Sequence, residues 1–284
     1  MKLTTAQPSQ VVMALIEGNS IRSTCRMTGV AKGTVLTLLA DLGEVCAAYH
    51  DEHVRWLTTK RISADEIWSF CGCKMKNASD EQAAQGWGDV WTWTALDDDS
   101  KLMVSYLVGQ RGAWWANEFL KDVASRVSNR IQLTTDGHHV YVNAVENAFG
   151  AEVDYAMLIK LYGNPAQPDT RYSPGECIGI ETRVVMGDPN PKHISTSYVE
   201  RANLSIRTHL RRFTRLSLGH SKKLANHAHM FAIYVMFYNY CRRHQTLRVS
   251  PAIEAGLSHH LWSIEELVSL RDKRSMLHGL LKSA

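Results

Sequence analysis

The chain has 284 residues, 45% hydrophobic and 21% charged, with 7 Pro and 18 Gly, a composition that excludes disordered, fibrous and low-complexity proteins. Its net charge is a mild +4, its six cysteines do not suggest a disulfide scaffold, and its longest nearly unbroken apolar run, Met230 to Tyr240, is about half of the ~20 residues that span a bilayer. No apolar block of signal-peptide length follows the start, so a cytoplasmic protein with no membrane partner is expected.

The first 43 residues read as helices. Val11, Val12, Leu15 and Ile16 form one apolar stripe, Ser20 can cap a second helix through Cys25, and Gly29 supplies a turn into a third helix with Val35, Leu38 and Leu39 on one side. Two short helices joined by a glycine turn, with a helix before them, match a helix-turn-helix. Its recognition helix, Ala31 to Ala40, would offer Lys32, Thr34 and Thr37 to DNA.

From Ile62 the pattern changes. Residues 62–74, 90–96 and 102–108 read as strands, and Asp97-Asp98-Asp99-Ser100 as an exposed hairpin turn between the last two. Trp115 to Val127 recurs at helical spacing, 130–135 returns to a strand, 141–149 is helical and 155–162 is again a strand. This βββαβαβ order implies a mixed α/β sheet flanked by helices. Gly163 to Pro191 holds most of the prolines and reads as an inserted loop or arm, after which residues 199–213 and 224–238 form two long amphipathic helices.

Charge is distributed unevenly along this order. Residues 61–200 hold 12 basic and 19 acidic side chains, whereas residues 201–284 hold 14 and 4. From Tyr198 to Arg248 there are ten Lys or Arg and a single acid, Glu200. An acidic middle beside a basic C-terminal part suits metal-binding carboxylates next to a surface that meets polyphosphate. Three carboxylates stand out by position: Asp65 inside the first strand, Asp136 at the end of the strand RIQLTTD, and Glu200 in the first turn of the basic helix. Charges at such strand positions are costly unless compensated, and a divalent cation held by hard oxygen ligands would compensate them. Of His138 and His139, at most one is expected to face such a site.

The segments DEIWSF (65–70), LTTDGHHVY (133–141), HISTSYVERANLSIR (193–207) and FYNYCRRHQTLRVSPA (237–252) resemble the DDE transposases of bacterial insertion sequences, of the insertion-sequence-one type. The resemblance spans about two-thirds of the chain, 62–255. It implies a ribonuclease-H-like catalytic domain over 61–255 with an inserted loop at about 163–192, while the residue pattern outside it places a helix-turn-helix and linker over 1–60 and a C-terminal helical tail over 256–284. It further implies Asp65, Asp136 and Glu200 as catalytic metal ligands for Mg or Mn, two ions in all, and Arg207 as a DNA contact seven residues after Glu200 on the same helical face. The expected DNA-binding set is then Lys32, Thr34, Thr37, Asn203, Arg207, Arg211, Arg212 and Arg215.

The activity implied is metal-dependent DNA cleavage and strand transfer at element ends by a homodimer or higher multimer on double-stranded DNA. Two features depart from the family pattern: 64 residues separate Asp136 from Glu200, and a helix-turn-helix stands where some relatives carry a Cys-rich zinc module. A non-catalytic DNA-binding regulator would need the basic face but not three convergent acids. A related nuclease or integrase would keep them.

Overall fold

The computed structural model describes residues 6–163, 176–214 and 218–272. Helix α1 (Gln7–Ile16) buries Val11, Val12, Leu15 and Ile16. The Ser20 side chain accepts a hydrogen bond from the Ser23 backbone N–H at 3.1 Å and starts α2 (Ile21–Thr28), which ends on Gly29 at φ 69°, a left-handed conformation that glycine adopts without steric cost. Helix α3 (Lys32–His53) is twice the expected length. Its inner face carries Val35, Leu38, Leu39, Leu42 and Cys46 into the core.

Six strands form one sheet: β1 (Arg61–Cys71), β2 (Gly88–Asp97), β3 (Met103–Gly109), β4 (Ile131–Thr135), β5 (Val153–Tyr162) and β6 (Cys177–Met186). Their order is β3-β2-β1-β4-β5-β6; β1, β2 and β3 pair antiparallel, β4 and β5 run parallel to β1, and β6 returns antiparallel along β5. A short α4 (Asp80–Ala84) lies between β1 and β2. Helices α5 (Ala113–Arg126) and α6 (Val140–Phe149) are the crossovers that parallel strands require. They cover one face, where Trp93 meets Phe119 and Tyr141. On the other face lie α7 (Ser197–His209), α8 (Leu224–Met236) and α3, with Phe231 of α8 against Tyr106 of β3. The small α9 (Pro251–Glu254) and a helix over 264–272 follow.

Three expectations need correction. The segment expected to be a loop at 163–192 contains β6, whose alternating Ile178, Ile180, Thr182 and Val184 were outweighed by the prolines around them; residues 164–175 lie outside the described ones. The basic helix stops at His209 and gives way to a 3-10 turn at Arg211–Phe213. The aspartate turn between β2 and β3 is not exposed: Asp97 and Asp98 are buried, Asp97 capping the turn through the Asp99 N–H and Ser100 hydroxyl, and Asp98 accepting from the Ser63 hydroxyl at 2.5 Å.

One continuous apolar core runs from Val11 to Leu270 and joins the N-terminal helices to the layers around the sheet. Among the described residues no helix is long and apolar enough to cross a membrane.

Candidate active site

Asp65 lies in the middle of β1, in register with Thr94 of β2, and Asp136 is the first residue after β4. Because β4 pairs with β1 in parallel, with Thr135 opposite Ala64, the chain leaves the sheet at Asp136 beside Asp65. The gap past the end of β4 is one that parallel topology opens routinely. Glu200, in the first turn of α7, lines the same cavity of about 520 Å³, together with Asp65, Asp136, Arg111, His138 and Lys160. Three acids separated by up to 135 residues thus converge.

Oxygens of Asp65, Asp136 and the unexpected Glu66 lie within 4.8 Å of one another. Neighbouring strand residues point to opposite faces, so the period-2 rule argues against Glu66. It reaches Asp136 because no strand continues β4 at that level. Glu66 is anchored at both oxygens, by Arg111 Nε at 2.8 Å on one and by the Tyr141 hydroxyl at 3.0 Å on the other. Burial, then the charges of Glu66 and Asp136, pushes the Asp65 carboxyl up to about 7, and burial followed by Asp136 raises Glu66 as well. Crowded carboxylates of this kind repel unless a cation sits among them, and their hard oxygens match Mg²⁺ or Mn²⁺.

The carboxylate of Glu200 is turned aside. One oxygen takes a hydrogen bond from Lys160 Nζ at 2.5 Å and the other from the Thr196 hydroxyl at 2.6 Å. Burial works to lower the Lys160 pKa, yet the hydrogen bond and charge of Glu200, together with Tyr162 and Asp65, outweigh it and the net shift is upward.

The residues expected to meet DNA divide into two groups. Lys32 and Thr37 are exposed and Thr34 half-buried on the outer side of α3, and Arg211 is exposed. The others are turned inward. Asn203 is buried, donates to Asp65 at 2.8 Å and accepts from the Thr94 hydroxyl at 3.1 Å. Arg207 donates to the backbone carbonyls of Trp68 and Phe213, at 3.3 and 3.1 Å. Arg212 donates to the carbonyl of Asn226, and burial lowers its pKa to about 10. Arg215 lies outside the described residues. His138 faces the cavity with its Nε2 buried and without a hydrogen-bond partner among the described residues, whereas His139 is exposed and does not line it.

Sequence reasoning missed Glu66, Arg111 and Lys160. Glu66 was visible as the second residue of the DEIWSF segment, whereas neither base has a spacing signal, one coming from a loop and the other from a strand without regular alternation.

No family model matches the sequence, and no curated protein matches it. Among solved structures the chain is similar to the piggyBac transposase synaptic complex with hairpin DNA, at 10% identity over 97% of this chain and 75% of that one, with a TM-score of 0.40. A likeness at that level carries no weight for function, which rests on the site.

Proposed function

We propose that the protein is a DNA transposase of the DDE type, a polynucleotidyl transferase that binds insertion-sequence ends, cleaves DNA and joins the freed strand to a target. The observation that carries this reading is the convergence of Asp65, Asp136 and Glu200 on one cavity. The strand order and directions support a ribonuclease-H-like catalytic domain, since three antiparallel strands are followed by two parallel to the first. The turn at Gly29, with Lys32 and Thr37 outward on α3, supports a helix-turn-helix.

Asp65, Asp136 and Glu66 would hold a divalent cation, with Glu200 joining them on leaving Lys160, and the metal's charge would stabilise the anionic oxygens of phosphoryl transfer. Asn203, fixed by Thr94, orients Asp65. Arg111 and Lys160, at the cavity wall, draw the phosphate toward the acids. Water would attack first and the freed 3′-hydroxyl second, with no covalent link to protein. A homomultimer that holds two ends together completes the proposal.

Asp65→Asn is expected to abolish Mg²⁺- or Mn²⁺-dependent cleavage of DNA carrying the sequences that flank the gene, while DNA affinity stays within about twofold. Gel shift and cleavage on the same variant decide it. Undiminished cleavage overturns the assignment.

A further inference from the structure

Helix α7 has a second lined face. Glu200 and Asn203 turn to the carboxylates, whereas Tyr198, Arg201 and Ser205 wall a separate cavity of about 450 Å³. Its floor is Leu96, Ala202 and Tyr238, all buried, and its far side carries Lys101, Arg242 and His244. Among the described residues no Asp or Glu lines it. Lys101 shares its charge with the Asp97–Asp99 turn and lays its ammonium 3.3 Å from the centre of the Tyr198 ring. Arg201 and Arg242 form no ion pair among the described residues, and the Arg242 guanidinium faces the buried Tyr234 hydroxyl behind the cavity, whose pKa it works to lower against burial. Two guanidinium groups with no carboxylate partner among the described residues leave positive charge at the cavity that an anion from outside the chain would neutralise. Burial first, and then the charges of Arg242 and Lys101, lowers the His244 pKa, which accords with positive potential focused on this cavity.

An anion with a flat apolar part matches these walls. The cavity has the size of a site for one small ligand, and Tyr198, 45% exposed, lines it with Arg201 and Arg242. A helix is ~10 Å across with its side chains, so the two faces of α7 are separated by about three nucleotides of a stacked strand at 3.4 Å each. We propose that this pocket takes a single unpaired nucleotide of a DNA strand that runs past the carboxylates, its phosphate on Arg201 and Arg242 and its base on the open face of Tyr198. The inference rests on the DNA-transfer reading above and adds to it a site selective for unpaired strand.

The test is fluorescence anisotropy in EDTA, with a short labelled oligodeoxythymidine and a blunt duplex as probes. Tyr198→Ala and Arg201→Gln are each expected to weaken single-strand binding by at least about fivefold, the lower end of one base stack, with duplex affinity held within about twofold. Tyr198→Phe, which keeps the ring, should bind as the unaltered protein does. Thermal melting establishes that the exposed-site variants fold. Equal losses on both probes, no loss, or identical behaviour of Tyr198→Ala and Tyr198→Phe would overturn the proposal. Metal-dependent nicking of plasmid DNA by the unaltered chain and by Asp65→Asn is measured in parallel. No nicking with a selective single-strand loss sinks the transposase reading and keeps the pocket, whereas nicking with no selective loss sinks the pocket alone.

Discussion

In the proposed metal site, Glu66 and Lys160 would decide how the carboxylates of the cavity share a cation. Glu66 already serves Arg111 and Tyr141, so its contribution to a metal is largely its charge. Glu66→Gln removes that charge and leaves Arg111 repelling the incoming ion. Titration with Mn²⁺ should then give an affinity about tenfold weaker, less than the loss in Asp136→Asn, with a stability cost of about 1–2 kcal/mol because Arg111 is 39% exposed and screened. Lys160→Met should act the other way. It frees Glu200 from its ion pair and removes a competing cation, so Mn²⁺ should bind a few-fold more tightly. Unchanged affinity in Lys160→Met would mean that Glu200 is no ligand. Asp65, Asp136 and Glu200 were legible in sequence because each is a charge where a strand or basic helix should not carry one alone. The inward turn of Asn203 and Arg207 follows from the same periodicity, three and seven residues after Glu200. Arg212 was not legible, because the chain leaves the helix at Leu210 and helical spacing no longer tells which way a side chain points.

At the scale of elements, the contact between α3 and α8 depends on one missing side chain. A Cβ at Gly43 would stand 2.4 Å from the Cβ and 2.6 Å from the Cα of His229, so Gly43→Ala must push the two helices apart. Overpacking of this kind costs about 1–3 kcal/mol. Gly33→Ala, on the same helix with nothing within 4 Å, should be neutral or slightly stabilising, and chemical denaturation of the pair isolates the packing term. The same helix sets an acid sensitivity. Its buried His50 has Nε2 3.1 Å from the Met103 carbonyl, and burial, helped by Arg126, lowers its pKa to about 4. Between about pH 4 and 6.5 the unfolded chain therefore binds a proton that the folded chain refuses, and stability falls with acidification across that window by up to ~1.4 kcal/mol per pH unit. Asp65 and Asp98, both raised to about 7, act in the opposite sense between about pH 4 and 7. Only the difference between His50→Gln and the unaltered chain isolates the histidine, and one proton's worth of slope should vanish in the variant. The strands were legible from alternation and turn residues, whereas β6 was hidden by its proline-rich neighbours and the second half of α3 by Gly43, which reads as a helix end but sits inside the helix against His229.

Across the whole molecule the N-terminal helices are bound into the body around the sheet. Buried Arg126 of α5 donates to the carbonyls of His50 and Val54 at the end of α3 and pairs with Asp51 and Asp122. Deleting residues 1–60 would strip one side from α8 as well as remove the proposed reading helix, so end recognition is better tested by Lys32→Ala and Thr37→Ala, which change exposed atoms only. Those variants should narrow the affinity difference between element ends and random duplex, because base contacts carry the sequence information. The two adjacent arginines after α7 should behave unlike each other. Arg211 is exposed and free to meet a phosphate, so Arg211→Ala should weaken binding to every duplex and lower the slope of log K against log salt by ~0.9, one phosphate's worth of released counterion. Arg212 holds the Asn226 carbonyl and is packed beside Cys71. Arg212→Ala should leave that slope unchanged and lower the melting temperature instead, since the loss is of an internal hydrogen bond rather than a DNA contact. Binding at several salt concentrations, set beside thermal melts of both variants, separates the outcomes. A slope that falls equally in both would mean that Arg212 turns outward to the DNA and that the segment after His209 rearranges when the protein binds.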